Sequence, residues 1–180
     1  MKYSRNGFSL IEVMVSLVIL VIGLIGIFNL HTVAKQSNFE SFQQTHATYY
    51  ANDIINRMRL NRTQLAGYAG TYNGSSSAPA KPCIGTATVC TLSETKDWDL
   101  YQWQQLFLGA AEISGGKKVG GLDTPIACIG VAGNDVTVVI TWRGIRTVSD
   151  AVDTSTTGLA ATCGTKSDRR RVYVINTVII

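Results

Sequence analysis

Charge is scarce in this chain: 16% of its 180 residues are charged, and Lys plus Arg exceed Asp plus Glu by only +4. A nucleic-acid binder carries a much denser basic footprint, so the composition makes no electrostatic case for one. Catalytic signatures are missing as well. No GxSxG, HExxH, phosphate-loop or dinucleotide fingerprint occurs, and Gly115-Gly116-Lys117-Lys118 lacks the spacing of a phosphate loop. Glu94, Asp97, Asp99 and Glu112 are scattered around one short helical segment, where solvation and the helix dipole account for them. There is no CxxC, and His31 and His46 lie far in sequence from every cysteine, which argues against zinc. Neither enzyme activity nor a metal or cofactor is expected.

What is abundant is apolar sequence in one place. From Phe8 to Leu30 the chain reads FSLIEVMVSLVILVIGLIGIFNL, with Glu12 its single charge. At about 1.5 Å per residue this run spans roughly 35 Å, enough to cross a hydrocarbon core of about 30 Å. Lys2 and Arg5 precede it, and the far flank offers only Lys35 before Glu40, so the positive-inside rule places the N-terminus in the cytoplasm. Everything after Leu30 is expected outside it. The four cysteines, Cys83, Cys90, Cys128 and Cys163, fall in that external part, where an oxidising compartment favours disulfides. Three pairings are possible. The nearest-neighbour one joins Cys83 to Cys90 and Cys128 to Cys163, closing loops of about 8 and 36 residues worth roughly 2.5 and 4 kcal/mol in the chain-entropy model.

From His31 to Arg62 there is no Gly or Pro, and Phe39, Phe42, Ala47, Tyr50, Ile54, Ile55 and Met58 recur at mostly three- or four-residue intervals. This predicts that the helix continues to about Arg62 with one buried stripe. Arg57 and Arg59 lie on different faces, so at most one can pair inward. Gly67, Gly70 and the stretch from Gly74 to Pro79 are expected to end the helix and form a loop. A second helix is expected within Leu92 to Glu112, with Leu100, Trp103, Phe107 and Ala110 inward and Ser93 or Thr95 capping it. Glycines 115, 116, 120 and 121 suggest turns around a short edge segment. Val136 to Trp142 and Arg171 to Ile179 are β-branched strands expected to pair, with Arg169, Arg170 and Arg171 a solvated lead-in rather than a DNA contact.

The N-terminal string MKYSRNG-FSLIEV is the most informative part. A secretory signal is cut after its apolar core, next to small residues at alternate positions. Here no such site follows Leu30, whereas Gly7 stands directly before the run and a carboxylate occupies its fifth position. Taken alone, Glu12 reads as a carboxylate snorkelling to the cytoplasmic interface, since it lies only about 6 Å along the axis from Phe8. At mid-membrane it would cost about 2.5 to 3.5 kcal/mol.

With its basic leader, Gly7, Phe8 and Glu12, this segment resembles the class III signal of the type IV pilin superfamily. The resemblance implies that a prepilin peptidase cuts between Gly7 and Phe8 and methylates the new amine of Phe8. It also implies that Glu12 meets the amine of a neighbouring subunit during assembly, because a charge pair in low dielectric is favourable only when both groups meet. Val21-Ile22-Gly23-Leu24-Ile25-Gly26 to Leu30, Asp53 to Asn61, and Trp98 to Trp103 with Val138 to Trp142 are similar to segments of the PilV-type minor pilins, although Asn56 stands where that group often has Glu. Gly23 and Gly26 carry two compatible readings, close helix packing and local softening of the helix in the filament.

The resulting expectation is an α+β pilin-like fold: a long N-terminal transmembrane helix packed on a small antiparallel sheet, with a disulfide-stapled C-terminal region. Residues 1–7 are the leader, 8–30 the transmembrane half of the helix, 31–62 its amphipathic half, and 63–180 a periplasmic or extracellular globular domain. The resemblance implies a minor pilin in the priming or tip complex of a type IV pilus, acting in assembly, surface display, twitching motility and adhesion. Its partners would be prepilin peptidase, other minor and major pilins and the inner-membrane assembly platform. Its location would be the inner membrane, single-pass, then the cell-surface pilus. A minor pseudopilin of a type II secretion system and a tip adhesin or DNA receptor are the alternatives.

Overall fold

A computed structural model describes residues 7, 9–85, 88–110, 112–152 and 156–180. Lys2, Arg5 and Phe8 lie outside the described residues. Contacts divide the chain into two units, Met1–Phe39 and Glu40–Ile180. Helix α1, Leu10–Leu60, contributes to both.

In the first unit every described side chain from Ser9 to Lys35 is exposed, including Leu10 at 78% and Phe28 at 75%. This helix is apolar on all sides, as in a membrane span, and lacks the stripe of a surface helix. Among the described residues, α1 is the one helix long and apolar enough to cross a membrane.

In the second unit α1 does show a stripe: Gln43, Ala47, Tyr50, Ala51, Ile54, Ile55 and Met58 are buried. Phe39 and Phe42, expected in that stripe, are instead 39% and 51% exposed. The buried face begins one residue beyond Phe42, where the Gln43 Oε1 accepts from the backbone N–H of Asp123 at 3.3 Å. Helix α1 stops at Leu60, ahead of the glycines expected to end it. Asn61 is the reason. Its backbone leaves the helical region, and its buried side chain donates to the Leu92 carbonyl at 2.7 Å and to the Tyr68 hydroxyl at 3.4 Å. A 3-10 helix, Arg62–Tyr68, and the short strand β1, Gly70–Tyr72, follow.

Helix α2, Leu92–Phe107, is capped by Thr91 rather than Ser93 or Thr95. The Thr91 hydroxyl accepts from Glu94 N–H while the Glu94 carboxylate accepts from Thr91 N–H, a reciprocal box that satisfies two otherwise orphaned donors. Its inner face is Leu100, Trp103, Gln104 and Phe107, and Ala110 falls beyond its end. Strands β2, Ile113–Ser114, and β3, Lys117–Lys118, form a hairpin across Gly115 and Gly116. Both turn residues have positive φ, 57° and 77°, the conformation a two-residue hairpin of this kind requires and glycine adopts without strain.

The main sheet has the order β1-β4-β5-β6, all antiparallel, with β4 at Ile126–Ala132, β5 at Asp135–Arg143 and β6 at Arg170–Val178. Side chains alternate across a strand. Accordingly Val136, Val138, Ile140 and Trp142 join α1 and α2 in the main core, and Val139 points into a second cluster with Cys128 and Cys163. That second cluster explains why β5 reads as a continuous apolar run: both faces are covered. The cover comes from Leu159 and Ala160 of the short helix α3, Leu159–Thr162, and from Cys163, stapled down by the Cys128–Cys163 disulfide. The other disulfide, Cys83–Cys90, closes the loop before α2. The architecture is α+β and pilin-like.

Candidate functional site

The segment in which the processing and assembly residues are expected is described from Gly7, which is exposed. The Ser9 carbonyl accepts from Glu12 N–H at 3.0 Å and from Val13 N–H at 3.3 Å, so the helix is initiated just ahead of Leu10. Glu12 therefore sits in the first turn, exposed, where a carboxylate is favoured by the unpaired backbone N–H groups by about 0.3 to 1 kcal/mol. Gly23 and Gly26 lie about three and four turns further on, and a Cβ placed on either would meet nothing within 4 Å. Their lack of a side chain therefore answers no contact among the described residues of this chain. Phe8, the residue on which cleavage and methylation are expected, is outside the described residues, so the structure brings no partner to Glu12.

The second unit grips the distal part of α1 through buried polar contacts that the sequence did not reveal. The Trp103 indole donates to the Tyr50 carbonyl at 2.8 Å, and its ring meets Phe107 and Tyr72 edge-on. Arg57 donates to Asp53 at 2.8 Å and across to Asp99 of α2 at 3.0 Å, while Arg59 stays exposed. Burial works against the Arg57 charge, but the two carboxylates outweigh it and hold the guanidinium above its ordinary value. Burial and the Asp99 charge together push the Tyr68 hydroxyl upward as it donates to Asp99 at 2.9 Å. Burial raises Tyr72 to about 12, with Asp97 adding to the effect.

Glu40 is the other anchor. Its carboxylate accepts from Arg146 N–H at 3.0 Å and pairs with Arg171 at 3.3 Å and Arg146 at 3.6 Å. Burial alone would raise its pKa, but the Arg146 N–H and the two guanidinium charges hold it below the ordinary value. The arginine triplet is consequently not a solvated lead-in. Arg169 is exposed, Arg171 turns in to Glu40, and Arg170 is 3% exposed and paired with Asp150 at 2.8 Å. Nothing in the local sequence distinguishes the buried arginine from its neighbours; only strand alternation, read with the register known, would have found it.

All four cysteines are in disulfides. Among the described residues no three His, Cys, Asp or Glu side chains come together in a metal-ligating group.

A family model described as the prokaryotic N-terminal methylation motif matches residues 2–28. Searches of curated proteins and of solved structures returned no match. The motif implies processing by prepilin peptidase and association with other pilins, and it coincides with the apolar helix that fits membrane anchoring. Together with the disulfide-bearing α+β fold, these observations support a type IV pilin-like protein.

Proposed function

We propose that this chain is a PilV-like minor pilin, inserted in the inner membrane with its N-terminus cytoplasmic and residues 63–180 periplasmic, then drawn into the priming or tip complex of a type IV pilus. The observation that carries this reading is the methylation motif over residues 2–28, which takes in the start of α1, a stretch that is apolar on all sides and exposed from Leu10 to Lys35. Prepilin peptidase cuts after Gly7, leaving residues 8–30 as the anchor, and methylates Phe8. Cleavage ahead of the apolar run keeps the helix in the membrane, whereas cleavage after it would release the domain.

In the assembled complex Glu12 meets the Phe8 amine of a neighbouring pilin. Such a pair is worthwhile in an apolar helix bundle because either charge alone would be costly there. Gly23 and Gly26 let neighbouring helices approach and give way locally as the bundle forms. The globular unit is carried to the surface by the part of α1 that it encloses, Gln43 to Met58.

A deletion strain tests this role. Loss of surface pili and of twitching is the expected result. Blocked exoprotein export would instead assign the chain to a type II secretion system, and normal piliation with lost attachment would assign it to an adhesin.

A further inference from the structure

A cleft opens at the end of the main sheet where β5 finishes and β6 begins. Thr141, Trp142 and Arg170 form its buried floor, while Arg143, Thr165 and Ser167 stand exposed at its rim. Arg170 sets the chemistry. Its side chain is 3% exposed, its Nε donates to Asp150 Oδ1 at 2.8 Å, and its Nη1 donates to the carbonyls of Cys163 at 3.1 Å and Gly164 at 3.4 Å. Its Nη2 is buried with no acceptor among the described residues. A guanidinium offers five donors in a fixed fork and never loses its charge, so a buried face of it without an acceptor is a standing demand for oxygen.

The surroundings hold that face in place. Asp150 accepts from Arg170 through one oxygen and from Ser167 N–H at 3.0 Å through the other, tying the floor to the rim. Cys163 is bonded to Cys128 of β4, and Gly164 packs so closely that a Cβ there would lie 2.5 Å from Thr141 Oγ1. Thr124, also on the rim, has φ +46°, an uncommon conformation for a β-branched residue. Of the carboxylates nearby, Asp123 is paired with Arg143 at 2.9 Å and Asp150 with Arg170, while exposed Asp168, next to Ser167, offsets one of the two positive charges that Lys166 and Arg169 bring to the surface.

We propose that this cleft binds a small oxyanion, a carboxylate or phosphate group borne by a ligand, with Arg170 Nη2 as the charged donor and the Thr165 and Ser167 hydroxyls completing its shell. Planar guanidinium donors suit both groups. The cleft measures about 230 Å³, below the usual range of roughly 300 to 1,000 Å³ for whole drug-sized ligands, so it takes a terminal group and leaves the rest of the ligand outside. Because Nη2 is buried, binding as proposed requires the exposed Thr165 to Ser167 rim to shift as the anion enters.

The test uses the full chain in detergent micelles, with nitrogen-15 spectra followed as inorganic phosphate, acetate or chloride is added at matched ionic strength. Saturable shifts of the Arg170 Nε–H and the Ser167 amide with phosphate, acetate or both are expected, the stronger anion identifying the group recognised. Ser167→Trp and Thr165→Trp, which fill the mouth from exposed positions, should each weaken that binding at least about tenfold with the remaining spectrum unchanged. Equal shifts with chloride, no saturable shift with either oxyanion, or undiminished binding in both variants would overturn the proposal.

Discussion

Up to Phe39 the helix α1 exposes Leu, Ile, Val, Met and Phe on every side, and from Gln43 onward the same helix buries one stripe and wets the rest. The two regions share backbone geometry and differ in what they need from outside. The second satisfies itself: aromatic packing around Trp103, ion pairs at Arg57 and Glu40, and two disulfides all close within residues 40–180. The first is stable only in lipid or among other helices. On the proposed function, the first region carries assembly and the second carries what the assembly displays.

The largest effect should come from Glu12→Ala. It is expected to abolish recovery of the chain in sheared surface filaments while leaving the urea midpoint of the full chain in detergent unchanged, since the side chain is exposed in the first turn. Trp103→Ala should do the reverse. Removing this fully buried side chain and its bond to Tyr50 is expected to cost about 3 to 5 kcal/mol by urea unfolding, with processing at the leader unaffected.

The two staples sharpen the comparison inside the second region. Replacing Cys128 and Cys163 with Ser should cost about 4 kcal/mol, and replacing Cys83 and Cys90 about 2.5 kcal/mol, because the sequence separations are 35 and 7. Equal losses in calorimetry would show that loop closure is not the governing term.

The smallest effect is acid sensitivity. At Asp150, burial is outweighed by the Arg170 contacts and the Val152 and Ser167 N–H groups, so its pKa, like that of Glu40, lies below the ordinary value. A carboxylate with a depressed folded pKa binds protons more readily when unfolded, so its contribution is intact above the ordinary values of 4.5 for Glu40 and 3.8 for Asp150. It is lost as pH falls through the lower folded values. Denaturation midpoints measured from pH 6 downward should therefore fall, and less steeply in Glu40→Gln and Asp150→Asn.

Periodicity made the long helix legible because its two halves follow different patterns, all-round apolar and then three- and four-residue spacing. Strands β5 and β6 were legible from their β-branched runs. Strand β4 was not, because Gly130 and two alanines dilute its pattern, although the Gly133-Asn134 turn leading into Asp135 is a hairpin signal. Strand β1 is three residues long and exists only through its pairing with β4. At the candidate site, the N-terminal methylation motif over residues 2–28 could be read directly, since it is a pattern of local sequence. The anchors Glu40, Asp99 and Arg170 could not, because each gains its role from a partner 20 to 131 residues away.

The most direct test of the account is the mass of the membrane-embedded chain in its native cell. Cleavage between Gly7 and Phe8 with one methyl group on the new Phe8 amine is the predicted result. An intact Met1, or a terminus beyond Leu30, would contradict it.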